Sequence, residues 1–325
     1  MIRIAALAVI FAAVSAAPAR AQAWLPSQGE ATVSFVFSDS FVKEHAINKV
    51  RSPGSNINTQ SLLADVTYGV RDDLSVTVSL PIVRARFLSS GTPPHPTIQD
   101  DGRYHTTATD FRVDIRYNAM NKRGMVLTPY LTTVTPSHGY EYFAHAAPGR
   151  RVNEVQVGTY FGTTVDKLLP GMFVQGRYGY GIQERFFDFS HNRSLFSVES
   201  GYFVTPDVRV FGMMSGQRTH GGLDLDTRST WPDAWWLNHD RITRENFVNV
   251  GGGLGWSFNE QVDFFGSFTT AVSARNTHVL NRAFLFGASI RLQKSAFERG
   301  IVTASASRGN QLGRCACQKA LALKR

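Results

Sequence analysis

The chain has 325 residues and a formal net charge of +9, with 43% hydrophobic residues, 12% aromatic residues and 28 glycines. Much of the charge sits in 294–325, where Lys294, Arg299, Arg308, Arg314, Lys319, Lys324 and Arg325 face only Glu298, so the remainder is mildly basic and a chain-wide nucleic-acid surface is excluded. The only cysteines, Cys315 and Cys317, lie in the same stretch, which excludes a disulfide framework, and past the N-terminus no run reaches the roughly 18 apolar residues of a spanning helix.

In chain order, the first element is a basic start, Met1-Ile2-Arg3, followed by an Ala-rich apolar run over 4–17 and the small-x-small site around Ala19 and Ala21. This reads as a secretory signal peptide cleaved after Ala21, with Ala23 the second choice. No cysteine follows the site, so lipoprotein processing is not expected.

The first strand opens with Val33, Phe35 and Phe37 on one parity, and a polar loop with Pro53-Gly54 is expected over 44–58. The clearest hairpin is 61–83. Leu62, Ala64, Val66, Tyr68 and Val70 share one parity before Arg71-Asp72-Asp73, and Leu74, Val76, Val78, Leu80 and Ile82 share it afterwards. Successive side chains of a strand point to opposite faces, so these are two strands with one apolar and one polar face. A long loop over 87–109 precedes Phe111, Val113, Ile115 and Tyr117, which alternate with Asp110, Arg112, Asp114 and Arg116.

Strands follow at 125–135, interrupted in pattern by Pro129, and at 153–162, 172–182, 194–204, 208–216, 247–258, 262–273 and 283–292. Loops are expected at 136–151, 184–192, 218–244 and 274–282, and short turns at 121–124, 205–207 and 259–261.

About twelve strands of roughly ten residues suit a tilted bilayer crossing. Short connections alternate with long ones, as in a barrel with short periplasmic turns and long outer loops. In lipid every backbone polar group needs a partner within the protein, and a sheet supplies this only by closing on itself. The fold class expected is therefore all-β, an antiparallel up-and-down transmembrane β-barrel over 22–293, between the signal peptide (1–21) and a basic, disordered tail (294–325). A periplasmic or secreted β-sandwich is the alternative. The expected location is the outer membrane of a Gram-negative-type bacterium. Tyr68, Tyr117, Phe161, Tyr202, Trp256 and Phe258 precede short turns, where an aromatic girdle belongs.

The segments LADVTYGVRDDLSVTVSLPIV, NVGGGLGWSFNEQVDFFGSF and RAFLFGASIRL resemble the outer-membrane barrel family named for the meta-cleavage (MetA) pathway of phenol degradation. The resemblance covers most of the chain to about Leu292. It implies a transporter of aromatic or hydrophobic compounds and brings no catalytic residues. One departure stands out: outer-membrane barrels commonly end their last strand on an aromatic residue read by the barrel-assembly machinery, and this one ends on Leu292.

The polar parity places Asp65, Arg112, Asp114, Arg116, Glu154, Arg177, Glu199, Arg209 and Asp263 in the lumen. They would either tune a water-filled path or pair with one another and plug it. Trp231, Trp235 and Trp236 in the long outer loop offer an apolar contact or pack on their own loop. The expected partners are outer-membrane lipid, the assembly machinery and small apolar solutes, with no nucleic acid.

No enzyme activity, cofactor or metal is expected. Cys315-Ala316-Cys317 lacks further ligands at zinc spacing, and Gly251-Gly252-Gly253 is no phosphate cradle. Ser137-His138 and the pair His191 and Ser194 are the nearest approach to a nucleophile with a base, and would make a lipid hydrolase the distant alternative. The main reading is a passive channel for small hydrophobic or aromatic solutes; the second is a plugged structural or surface-interaction barrel with its outer loops as the binding part.

Overall fold

The structure is a computed structural model that describes residues 23–88, 97–165, 169–225, 231–236 and 238–292. The expected signal peptide over 1–21 and the expected tail over 294–325, with Cys315 and Cys317, lie outside the described residues.

Strands β1 (Ala31–Ile47), β2 (Val50–Arg71) and β3 (Leu74–Phe87) open the wall. The next crossing is assembled from β4 (His105–Ala108), β5 (Asp110–Tyr117) and β6 (Met120–Lys122). Then follow β7 (Met125–Pro136), β8 (Glu154–Thr164), β9 (Met172–Gln183), β10 (His191–Phe203), β11 (Val208–Gly221), β12 (Asn246–Ser257), β13 (Val262–Arg275) and β14 (Thr277–Leu292). Each pairs antiparallel with its neighbours, and β1 pairs with both β2 and β14, so twelve crossings close into one cylinder without a free edge.

The apolar parity faces outward. Leu62, Val66, Val78, Leu80, Ile115, Leu131, Val157, Leu254, Trp256, Phe268 and Phe286 are all exposed. The opposite parity turns inward, and Ser75, Thr77, Ser79, Asp114, Thr128, Thr132, Gln156 and Gln175 are buried. A polar interior inside an apolar exterior inverts the arrangement of a soluble protein and is that of a transmembrane barrel. The hairpin over 61–83 forms with Leu62 opposite Ile82 and Val66 opposite Val78. Of the expected girdle residues, Tyr68, Tyr117, Phe161, Trp256 and Phe258 are exposed on the outer wall.

Pro129 is accommodated by a break in its neighbour. Its side chain is exposed, and the stretch opposite it falls between β5 and β6, where Asn118 bonds instead to the carbonyl of Asp73. The missing proline N–H thus meets no ladder partner on that side.

Two expected loops are strand instead. Residues 44–58 continue β1 and β2 to a tight turn between Ile47 and Val50, and 274–282 belong to β13 and β14 around Asn276. Asn48 and Asn276 take left-handed backbone conformations (φ 54° and 52°), which asparagine tolerates and a tight turn requires. The long-loop end of the barrel therefore carries extended hairpins as well as loops. Its long loops hold two single-turn helices, α1 (Asp233–Trp236) and α2 (His239–Ile242).

Candidate functional site: the barrel interior and its outer rim

Most of the charges expected in the lumen are tied up with partners. Asp114 is buried, pairs with Arg116 at 3.0 Å and accepts a bond from Thr132 at 3.2 Å. Asp263 pairs with Arg291 and accepts from Ser257 at 2.6 Å. Glu199 accepts from Gln175 at 3.0 Å beside a cavity of about 110 Å³ that also touches Tyr160, Ser197 and Met213. Arg209 lies along Gly255, Arg112 sits between Ser79 and Val134 in register, and Asp65 keeps one buried oxygen without a hydrogen-bond partner among the described residues.

Glu154 is the centre of a larger network at the long-loop end. Arg193 donates to it at 2.6 Å, Gln156 donates at 2.6 Å, and Gln183 also donates. Arg193 reaches on to Gln217 at 2.8 Å, and Gln217 reaches Glu245, which accepts from Thr277 at 2.5 Å. The chain of bonds runs from β8 to β14 around half the wall. Arg193 shares the sequence parity of Glu199 on the same strand; the amides that extend the network carry no signal beyond that alternation.

Across the interior, Arg177 donates to the hydroxyl of Tyr130 at 2.8 Å and to Gln156 at 2.6 Å, and its guanidinium stacks 4.4 Å from the centre of the Tyr130 ring. Arg116 stacks on Tyr160 at 4.6 Å, and the two tyrosine rings meet at 5.0 Å. Tyr130 can lie against the wall because Gly158 and Gly179 have no side chain; a Cβ on Gly179 would stand 1.9 Å from its hydroxyl.

The residues just before β1 enter this same space. Glu30 and Gly69 exchange a backbone bond, Gly29 bonds to Gly69, and the carbonyl of Ala23 accepts from Thr128 at 2.8 Å. Ala23 is fully buried with Val126, Tyr130 and Tyr160, and Trp24 lies over Gly162. Because β7 and β8 stand four and five strands round the wall from β1, residues 23–30 cross the inside of the barrel at its short-turn end. Sequence periodicity gave no sign of this, since the segment has no strand pattern.

At the opposite end the long loops pack on one another. Leu225, Ile242, Tyr140 and Val152 are buried, and Arg241 donates to the carbonyl of Arg151 at 2.6 Å while stacking on Tyr142 and Phe186, both at 3.7 Å. Trp231 contacts Trp235 and Trp236, with ring centres 6.1 and 5.3 Å apart, and Phe187 and Phe189 complete the group against Trp235. The three tryptophans come together as an outer aromatic cluster, half-buried and extended by two phenylalanines from the neighbouring loop.

The serine–histidine candidates are placed differently from their spacing. Ser137 and His138 bond at 2.9 Å, but Ser194 bonds to His220 at 2.8 Å and not to His191, which is buried. Three further histidines, His45, His239 and His278, meet at the outer rim, with ring nitrogens within 4.8 Å of one another. Asp240 raises His239 to about 9 against the effect of burial.

No protein-family model matches the chain, and no curated protein matches it. Solved structures do. An outer membrane channel from Pseudomonas putida F1 superposes with a TM-score of 0.62 at 11% identity, over 85% of this chain and 100% of that one. The NanC porin (TM-score 0.45, 10% identity, 81% and 100% coverage) and the translocator domain of the Neisseria meningitidis autotransporter NalP (0.46, 14%, 82% and 90%) also align. At 11% identity the likeness to the first of these shows the fold alone, a closed antiparallel β-barrel. The narrower resemblance to the phenol-degradation family goes no further than that.

Proposed function

We propose that the protein is a passive outer-membrane channel for small apolar or aromatic solutes, with no catalytic chemistry. The observation that carries this reading is the aromatic cluster inside the barrel. Trp24, Tyr130 and Tyr160 pack together in the interior beside charges most of which are paired, so a path opened along them would favour a flat apolar solute over an ion. The tryptophan cluster at the outer rim supplies a first contact of the same chemistry. The resemblance to barrels of the phenol meta-pathway points the same way.

The test is uptake of a monocyclic aromatic such as phenol or toluene into liposomes containing the full chain, alongside single-channel conductance. Saturable aromatic uptake that Trp24→Ala or Tyr160→Ala changes, with low ion conductance, is the expected result. Uptake equal to that of protein-free liposomes overturns the reading.

The second reading, a plugged barrel that binds a partner through its outer loops, is favoured by the crossing of residues 23–30 and by the packed outer loops. It predicts that removing 221–238 abolishes partner binding while leaving permeability unchanged.

A further inference from the structure

His45 on β1 and His278 on β14 are direct cross-strand partners at the seam that closes the barrel. They lie at the far end of those strands from the exposed Phe35, Phe37, Phe286 and Ile290, outside the lipid-facing band. His239 opens α2 in the loop between β11 and β12, and brings the third ring to the same point. The ring centres are 4.7 Å apart for His45 and His278, 5.8 Å for His45 and His239, and 6.0 Å for His239 and His278. From this geometry we propose that the three histidines form a binding site for a divalent transition-metal ion of the zinc class, which ties the outer loop to the barrel seam.

The donor set supports that chemistry. Neutral imidazoles suit zinc, copper and nickel, so an ion bound here would displace the proton between His239 and Asp240, whereas calcium and magnesium need several oxygen ligands. Zinc bonds to histidine nitrogen at about 2.0–2.1 Å. Nitrogens already within 4.8 Å of one another reach that shell by small rotations of the rings, without movement of the strands. Neither His45 nor His278 makes a ring hydrogen bond among the described residues, so their nitrogens have no competing partner.

The supporting groups are present too. Nδ1 of His239 lies 2.7 Å from the carbonyl of Trp236, the contact that usually orients a metal-binding imidazole and leaves Nε2 for the ion. A carboxylate oxygen of Asp240 is 3.1 Å from that Nε2, in position to complete a tetrahedral set of three nitrogens and one oxygen. The three ligands come from three separate elements, and two of them are the first and last strands of the wall. An ion here would therefore clamp α2, and with it the packed outer loops, onto the hairpin ends of β1 and β14.

The site is tested on the untagged full chain in detergent micelles, in a Cys315→Ser, Cys317→Ser background that removes the tail thiols as ligands. Titration calorimetry with zinc chloride is expected to show one ion per chain, and calcium chloride at the same concentration no binding. His45→Gln and His278→Gln should each weaken zinc binding by more than about tenfold, and His105→Gln, a histidine away from the cluster, should not change it. Heat-shifted migration on gels checks that each variant is folded. Cobalt substitution of the protein with all its histidines gives a reading independent of variant folding, with an intense tetrahedral visible spectrum expected. Absence of saturable zinc binding, equal binding by the folded His45→Gln variant, or a weak octahedral cobalt spectrum overturns the proposal.

Discussion

Arg177 holds the Tyr130 ring from two directions, donating from Nε to the hydroxyl at 2.8 Å and stacking its guanidinium 4.4 Å from the ring centre. The pair bridges β9 and β7 across the intervening β8, and Gln156 of β8 takes the other end of the guanidinium at 2.6 Å. A side chain anchored to three strands is a fixed obstruction in the lumen rather than a mobile one.

Removing that obstruction should widen the path. Arg177→Ala frees Tyr130 and deletes a charged group, and is expected to raise single-channel conductance by about twofold or more. Arg177→Lys keeps the charge but loses the flat stacking and the paired donors, and should fall between the two. Planar bilayer recordings on the three proteins check the order.

Gly179→Ala introduces a Cβ 1.9 Å from the Tyr130 hydroxyl and should destabilise the barrel by about 1–3 kcal/mol through overpacking. Tyr130→Phe removes the clashing oxygen but leaves the ring carbon 3.0 Å from the new Cβ and Arg177 without that acceptor, so the double variant should recover only part of the loss. Urea titrations of barrel refolded into lipid vesicles measure both.

Glu154 is buried, its side chain only 2% exposed, and is bonded to the half-buried Arg193 at 2.6 Å. Removing one partner leaves the other charge inside without its counter-ion, at a cost of about 3–5 kcal/mol. Glu154→Ala and Arg193→Ala should each be strongly destabilising, and the double variant should lose less than the sum of the two. The same vesicle titrations give the coupling.

Asp100 fixes one outer loop to another by accepting from the backbone N–H groups of His145 and Ala146 at 3.2 and 3.3 Å, with the His145 ring at 3.1 Å. Burial acts to raise its carboxyl, but these bonds hold it below the ordinary value. A depressed carboxyl contributes stability that is fully present above its unfolded pKa of about 3.9 and disappears as pH falls through the folded value. Hydrogen exchange in 139–147, corrected for intrinsic rates, should therefore be slow at neutral pH and accelerate on the acid side. Asp100→Asn should remove that acid dependence while raising exchange at neutral pH.

The alternation of Leu62, Ala64, Val66 and Tyr68 with Ser61, Asp65 and Thr67 was enough to specify a strand with two unlike faces. The repetition of that pattern about twelve times was enough to specify a closed cylinder. These are local properties: the strand period of two comes from backbone geometry, and lipid leaves no hydrogen-bonding solution for an open sheet. The same parity placed Asp114, Glu154 and Asp263 on the inner face without saying what each would bond to.

What surrounds those charges was decided only by the tertiary structure. Arg291 reaches Asp263, and Arg193 reaches Glu154, because closure sets neighbours in register that are distant in sequence. Residues 23–30 carry no periodic pattern, and only the three-dimensional path shows them crossing the interior to Thr128 and Tyr160. The extended hairpins at Asn48 and Asn276 look like loops in composition, and become strand because each finds a paired neighbour above the lipid. His45, His239 and His278 show no ligand spacing along the chain. They meet because the first and last strands close the cylinder beneath the loop between β11 and β12, a proximity set by chain closure rather than by any local preference.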